Sequence, residues 1–349
     1  MRTYLYSLSG GYMSKISTPK VEDIRLKPNM SVIELVDEMR KMGGFQASHM
    51  VKAIDILTEM LRDKNCITIL AFPACIIATG LRGAIIEMLK RGYFDLIITT
   101  CGTLDHDVAR VVATYHHGDF WVDDKELLKD KIHRLGNIFI PFDSYGPAIE
   151  GVIKELISYL EKRNKKRLPH YKIVFYLGQI LDKYEKKEES IIWWAYKKKI
   201  PIIVPGLTDG AVGFQLWIGY QEGKIDVDVF ADESLLSDIV WGTPKRKLGA
   251  LIIGGGISKH HTIWWSQFAD GLEYAVYVTT AVEQDGSLSG AQTREAISWR
   301  KISERAKHVT VWAEATLVLP LMVTYLISKI TSREKPKMLS QILREHFSD

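Results

Sequence analysis

Apolar residues along this chain fall into two patterns. Short, nearly continuous apolar runs rich in β-branched residues occur at 66–72, 96–101, 138–142, 173–177, 200–204, 250–253, 274–280 and 309–313, with turn residues at their ends. Runs of that length predict buried strands. Between them, apolar positions recur at helical spacing, as in Ile85, Ile86 and Leu89, or Ile153, Leu156, Ile157 and Leu160. Such strands alternating with helices predict a doubly wound, mostly parallel, Rossmann-like α/β sheet with helices on both faces. The first part of the chain differs, because 32–43 and 47–61 are helical in pattern with no strand between them. The expected organisation is therefore an N-terminal helical extension (1–62), an α/β domain (63–335) and a C-terminal tail (336–349). The longest apolar stretch, 309–330, contains Glu314, Pro320 and Lys329 and reads as a strand followed by a helix, not a membrane span.

Composition narrows the function classes. The chain has 349 residues, 46% hydrophobic and 25% charged, as ordinary globular proteins do. A net charge of +4 does not argue for nucleic acid. Basic clusters at 162–167 and 183–199 read as solvated helix ends or as a docking patch for an acidic partner. Three cysteines, Cys66, Cys75 and Cys101, form no CxxC pair, so neither a disulfide framework nor a metal site is expected. Residues 1–13 lack the apolar core of a signal peptide. A cytosolic protein with no membrane or nucleic-acid partner is expected.

In an open parallel sheet, ligands gather beyond the carboxyl ends of the strands. Here those ends carry Thr100-Cys101-Gly102, Pro205 to Gly210 with Asp209, Gly254-Gly255-Gly256, Thr280-Ala281 with Asp285 and Gly286, and Glu314-Ala315. Small residues admit a ligand to the backbone amides, and carboxylates can bind ribose hydroxyls. Each loop alone is weak, since three glycines after a strand also make a plain tight turn and do not match the GxGxxG pattern. Their agreement points to a dinucleotide.

A second group of residues suggests amine chemistry. Lys301 follows Trp299 in a segment that begins near Glu295, and His260 and His261 follow the glycine turn. A lysine beside a tryptophan is ordinarily a surface residue with its stem on the ring. As a nucleophile it would attack as the free amine, which calls for burial or cationic neighbours such as His260 or Arg300. Trp299 could face a cationic amine and Glu295 could bind its ammonium end, both on one face of a helix. One histidine of the pair could move a proton. The second pair, His116 and His117, reads as structural.

Three runs in this order, 255–261 (GGISKHH), 285–291 (DGSLSGA) and 295–302 (EAISWRKI), resemble the signatures of the deoxyhypusine synthase family, especially its archaeal members. The likeness spans about 18–330. It implies an NAD-dependent enzyme that oxidises spermidine, captures its four-carbon amine fragment as an imine on Lys301, and passes it to one lysine of the translation initiation factor 5A precursor. It also implies a homotetramer with active sites between subunits. By the same resemblance, His260, Gly286, Ser287, Glu295 and Trp299 fall at polyamine positions. Asp209, Gly255, Thr280, Ala281 and Asp285 fall at NAD positions, as do residues 74–78 and Thr100, Cys101 and Gly102, while Glu314 and Ala315 match an Asp-Ala pair. The chain departs from eukaryotic members at Phe214 and Leu288, where they are acidic, and at Trp264, where they have asparagine. Arg300 replaces a glycine before the lysine, and Asp105-His106 replaces a carboxylate pair. Two alternatives remain open from the residues: a homospermidine synthase-like transfer to putrescine, or a non-catalytic NAD-binding paralogue.

Overall fold

The computed structural model describes residues 19–243 and 246–348, so residues 1–13 lie outside the described part of the chain. Six strands form the main sheet: β1 (Cys66–Ala71), β2 (Leu96–Ile98), β3 (Ile202–Ile203), β4 (Lys247–Ile253), β5 (Leu272–Thr279) and β6 (Ile302–Trp312). Their spatial order is β6-β5-β4-β1-β2-β3, and every neighbouring pair is parallel. The chain builds outward from β1 to β3, returns, and builds outward again from β4 to β6. The direction of winding therefore reverses between β1 and β4, the crevice where such sheets take ligands.

The alternation of side chains along each strand explains why the sheet is covered twice. Leu70, Phe72, Leu251, Ile253, Val276 and Val311 enter one core together with helices Phe45–Arg62, Arg82–Lys90, Gly146–Glu161 and Ala315–Lys329. Ile69, Ala71, Ala250, Ile252 and Tyr277 enter a second core with helices Phe230–Trp241, Gly256–Ser266 and Lys337–Phe347. Apolar residues at consecutive positions are thus buried on opposite faces. The first helix, Val32–Met42, starts at a capping box: Glu34 N donates to Ser31 Oγ at 3.2 Å, and Ser31 N donates to Glu34 Oε2 at 2.7 Å. The second, Phe45–Arg62, buries Ile54, Leu57 and Met60 in the first core.

Two expected strands are placed differently. Residues 173–177 lie inside the helix His170–Leu181. That helix buries Tyr171, Ile173, Val174, Tyr176 and Leu177, and the five consecutive apolar residues 173–177 cannot by themselves be told from a buried strand. Residues Ile138–Pro141 do form a strand, but in a separate antiparallel sheet with Ile132–Leu135 and His116–His117. The run at 96–101 ends as a strand at Ile98, and Cys101 opens the helix Cys101–Val112. Residues 309–330 are the end of β6 followed by the helix Ala315–Lys329, which carries Pro320 inside it. Among the described residues, no helix is long and apolar enough to cross a membrane.

Candidate active site

Because the six strands are parallel, their carboxyl ends share one edge. At its centre Gly254 has φ 71°, and a Cβ there would sit 3.1 Å from the Pro73 ring. A Cβ on Gly255 would sit 2.2 Å from Ser289 Oγ. The close approach of two loops therefore requires glycine. Thr100 Oγ1 accepts from Ala74 N at 3.1 Å, and a Cβ on Gly102 would meet the Ala74 side chain at 2.9 Å, so residues 74–78 and 100–102 pack on each other. Helices Cys101–Val112 and Gly256–Ser266 both start here without a side-chain cap. The positive ends of their dipoles suit a pyrophosphate; the Gly256 amide donates to Ser289 Oγ at 3.2 Å, while a Cβ on Gly256 would meet nothing within 4 Å. The residues present therefore fit a dinucleotide.

The polar side chains of this edge are exposed. Asp209 and Thr280 are open to solvent. Asp285 Oδ1 accepts from Ser287 N at 2.6 Å across the turn at Gly286, and the Ser287 hydrogen bonds hold its carboxyl below the usual range. Ala281 O accepts from Trp312 Nε1 at 2.6 Å. Glu314 caps the helix that starts at Ala315, accepting from Leu317 N at 3.2 Å. Beneath the edge, Asp105 is fully buried and accepts from Ala211 N (2.9 Å), Val212 N (2.8 Å) and Tyr145 Oη (2.9 Å). It thereby fastens the helix Ala211–Gln221, which follows the Asp209 loop. Burial outweighs those hydrogen bonds and pushes the Asp105 carboxyl up. His106 meets Tyr115 Oη at 2.9 Å, and burial pushes its imidazole down to about 4. The Asp105-His106 pair is thus a buried brace below the loops.

Lys301 occupies a different setting. Its backbone is locked where β6 begins: its N–H donates to Ala296 O at 3.0 Å, and its carbonyl accepts from Leu272 N (3.1 Å) and Ser266 Oγ (2.7 Å). Only 8% of the residue is exposed. The side chain enters a cavity of about 410 Å³ between the helix Gly256–Ser266 and the short helix Glu295–Ser298, walled by His260, Trp264, Glu295 and Trp299, with Tyr277 and Leu288 deeper in. Lys301 Nζ lies 5.2 Å from the Trp299 ring centre and 5.9 Å from that of Trp264. His260 stacks on Trp264 at 5.9 Å between ring centres. Burial, and then the Lys301 charge, hold the His260 imidazole below the usual histidine range. Just before the lysine, Arg300 has φ 55°, a left-handed conformation that glycine adopts without strain.

Sequence reasoning missed Lys259. It is almost wholly buried, and its Nζ donates to Leu288 O and Ala291 O, both at 2.6 Å, while lying 4.3 Å from the Tyr277 ring centre. Burial pushes its ammonium down to about 8, with the Glu295 charge opposing. This lysine ties the loop holding Gly286 and Ser287 to the helix holding His260. The available signal was helical spacing: Lys259, Thr262, Ile263 and Ser266 form the buried face of that helix.

The cavity thus gathers Lys301, His260, Glu295 and Trp299, with Trp264 and Leu288 from the departures. It does not include Gly286 or Ser287, which lie on the adjoining exposed loop, nor any of the candidate cofactor residues. Phe214 also lies apart from it, exposed on the helix Ala211–Gln221 against Trp217 at 5.5 Å.

Comparison with known proteins gives a consistent picture. The model of the deoxyhypusine synthase family matches residues 34–326. A relative from Ignicoccus hospitalis is 44% identical over 316 residues, covering 89% of this chain and 96% of its own length. Another, from Picrophilus torridus, is 47% identical over 304 residues, covering 87% and 95% respectively. Both bear the name "Probable deoxyhypusine synthase". A crystal structure from Entamoeba histolytica, provisionally described as a deoxyhypusine synthase, superposes with a TM-score of 0.59 at 22% identity over 91% of this chain and 99% of that one. That last similarity speaks for the fold.

Proposed function

Because the chain belongs to the deoxyhypusine synthase family, we propose that it moves the 4-aminobutyl group of spermidine, through an imine on Lys301, to one lysine of the translation initiation factor 5A precursor. The observation that carries this reading is the buried Lys301 amine, set between two indole faces in a cavity that also holds His260 and Glu295. NAD, held by Thr100, Cys101, Gly102, Asp209, Gly255, Thr280, Ala281, Asp285, Glu314 and Ala315, would supply the redox chemistry, taking two electrons from the polyamine and returning them at the end.

The remaining work falls to side chains. Trp299 and Trp264 present ring faces that hold a cationic amine by its charge. Glu295 pairs with the far ammonium, and Gly286 and Ser287 border the entrance. The Lys301 nitrogen adds to the carbon of the oxidised polyamine imine. The bond from that carbon to the departing nitrogen then breaks, and 1,3-diaminopropane leaves with its proton. His260 is neutral near pH 7 and accepts the proton that Lys301 sheds. The acceptor lysine repeats the exchange, which frees Lys301. Trp299 is 64% exposed and Trp264 45% exposed, so the open side of the cavity has room for a second copy of the chain, as a homotetramer with intersubunit sites would provide. The free cysteines Cys66, Cys75 and Cys101 support work in the reducing cytosol.

The test is incubation with NAD and spermidine labelled in its butyl portion, offering either the factor 5A precursor or putrescine. Label in the protein is expected. Label only in homospermidine would replace the acceptor, and label in neither would refute transfer.

A further inference from the structure

A second cavity, of about 990 Å³, lies at the opposite end of the sheet, around the amino ends of β1 and β4. Its wall carries six cationic side chains, Arg62, Lys64, Arg246, Arg333, Lys335 and Lys337, against one carboxylate, Glu334. Two of the guanidinium groups are incompletely paired. Arg246 has both terminal nitrogens shielded from solvent with no hydrogen-bond partner, and burial pushes it down to about 10. The Arg333 side chain is 4% exposed; it donates to Asp95 Oδ1 at 3.0 Å and to Cys66 O, yet its Nε has no partner. Burial likewise pushes Lys335 down to about 8, although its Nζ donates to Lys199 O at 2.7 Å. The helix Lys337–Phe347 begins at the same cavity behind Pro336, with no side-chain cap on its first amides.

A shielded guanidinium without acceptors is costly, and the Arg246 fork, which lies beside the cavity with its terminal nitrogens shielded, gains most if it turns to meet an entering anion. A guanidinium fork and an uncapped helix start both match phosphate oxygens. Two such elements, with the other five cationic side chains of the wall, suit more than one phosphate. A cavity of this size is in the range that takes nucleotide-sized ligands. β4 runs for seven residues, which separates this cavity from the glycine turn by roughly 20 Å. The cofactor edge and this cavity are therefore distinct.

We propose that this cavity binds the polyphosphate group of a small anionic ligand, gripped by Arg246 and the start of the helix Lys337–Phe347. The proposal is independent of the transfer reaction.

Calorimetric titration of the full-length protein with inorganic pyrophosphate and with ATP, with and without excess NAD, tests it. Both probes should bind, more weakly at high salt, and NAD should not displace them. Arg246→Met should weaken binding by about tenfold or more, Arg246→Lys by less, with aminobutyl transfer unchanged. Lys337→Ala, at an exposed helix start, serves as the second variant should Arg246→Met fold poorly, and should also weaken binding. The proposal is overturned if neither probe binds at millimolar concentration, if NAD competes, or if the variants bind as tightly as the parent. Unchanged pyrophosphate affinity in Arg246→Met together with a smaller assembly would overturn it in favour of a subunit contact.

Discussion

The carboxyl edge of the sheet and the lysine cavity are built from different materials. At the edge, glycines, helix starts and close-packed loops bring backbone to the surface of the crevice, and the side chains of Asp209, Thr280, Asp285 and Glu314 are open to solvent. In the cavity the backbone is locked, and the chemistry is carried by a few side chains: two buried amines (Lys301 and Lys259), two indoles, one imidazole and one carboxylate. The contrast teaches that a cofactor and a nucleophile make unlike demands. A dinucleotide needs shape and many shared donors, so single side-chain changes there are tolerable. A nucleophile is one atom and has no substitute.

That contrast can be broken most severely at Lys301. Lys301→Ala should lower transfer by at least about 10³-fold while NAD affinity stays within about twofold. Parallel loss of both, measured by activity and fluorescence titration, would mean that the two regions are one. Asp209→Ala probes the other side. It should weaken NAD binding by about tenfold, the usual worth of a charged hydrogen bond, and leave the cavity intact. Unchanged cofactor affinity would remove Asp209 from the edge.

Acid sharpens the comparison from below. His106 is buried and titrates near 4, against about 6.5 in the unfolded chain. Below pH 6.5 the unfolded state therefore binds a proton that the native state refuses. Stability should fall as pH drops from 6.5 toward 4, by roughly 2 kcal/mol at pH 5 from this group alone. Urea unfolding at pH 7.5 and 5 should show the loss, and His106→Gln should reduce it. An equal loss in the variant would assign it elsewhere.

Smaller effects belong to the cavity wall. Trp299→Leu should raise KM for spermidine several-fold, in keeping with about 1 kcal/mol for a cation over a ring, with a smaller change in kcat. An unaltered KM would remove the indole from polyamine binding. Arg300→Gly should stabilise the protein by about 1 kcal/mol, because the position has φ 55°. Thermal unfolding reads this directly, and a destabilised variant would show that the Arg300 side chain contributes more than its backbone strain costs.

How much could be read in advance followed the range of the interactions. β1, β4, β5 and β6 were legible because β-branched runs end in turn residues, and the strand ends were legible from their small residues. The helix His170–Leu181 does not stand out because its five consecutive apolar residues, 173–177, look the same in a buried strand. Lys301 stood out through its neighbours Trp299 and Glu295. Lys259 did not, because its partners, Leu288 O and Ala291 O, are carbonyls about thirty residues further along. The pairing of Asp105 with Ala211 and Val212 is hidden for the same reason, since it joins two helices far apart in sequence. The φ of Arg300 cannot be read from an arginine at all, because residues other than glycine seldom adopt the left-handed conformation.

The claim on which the account depends is that Lys301 becomes covalently joined to the amine fragment. Borohydride reduction of the enzyme with NAD and labelled spermidine, followed by peptide mapping, measures it. The account predicts stable label on the peptide containing Lys301 and none in Lys301→Ala; label on another lysine, or undiminished labelling of the variant, would contradict it.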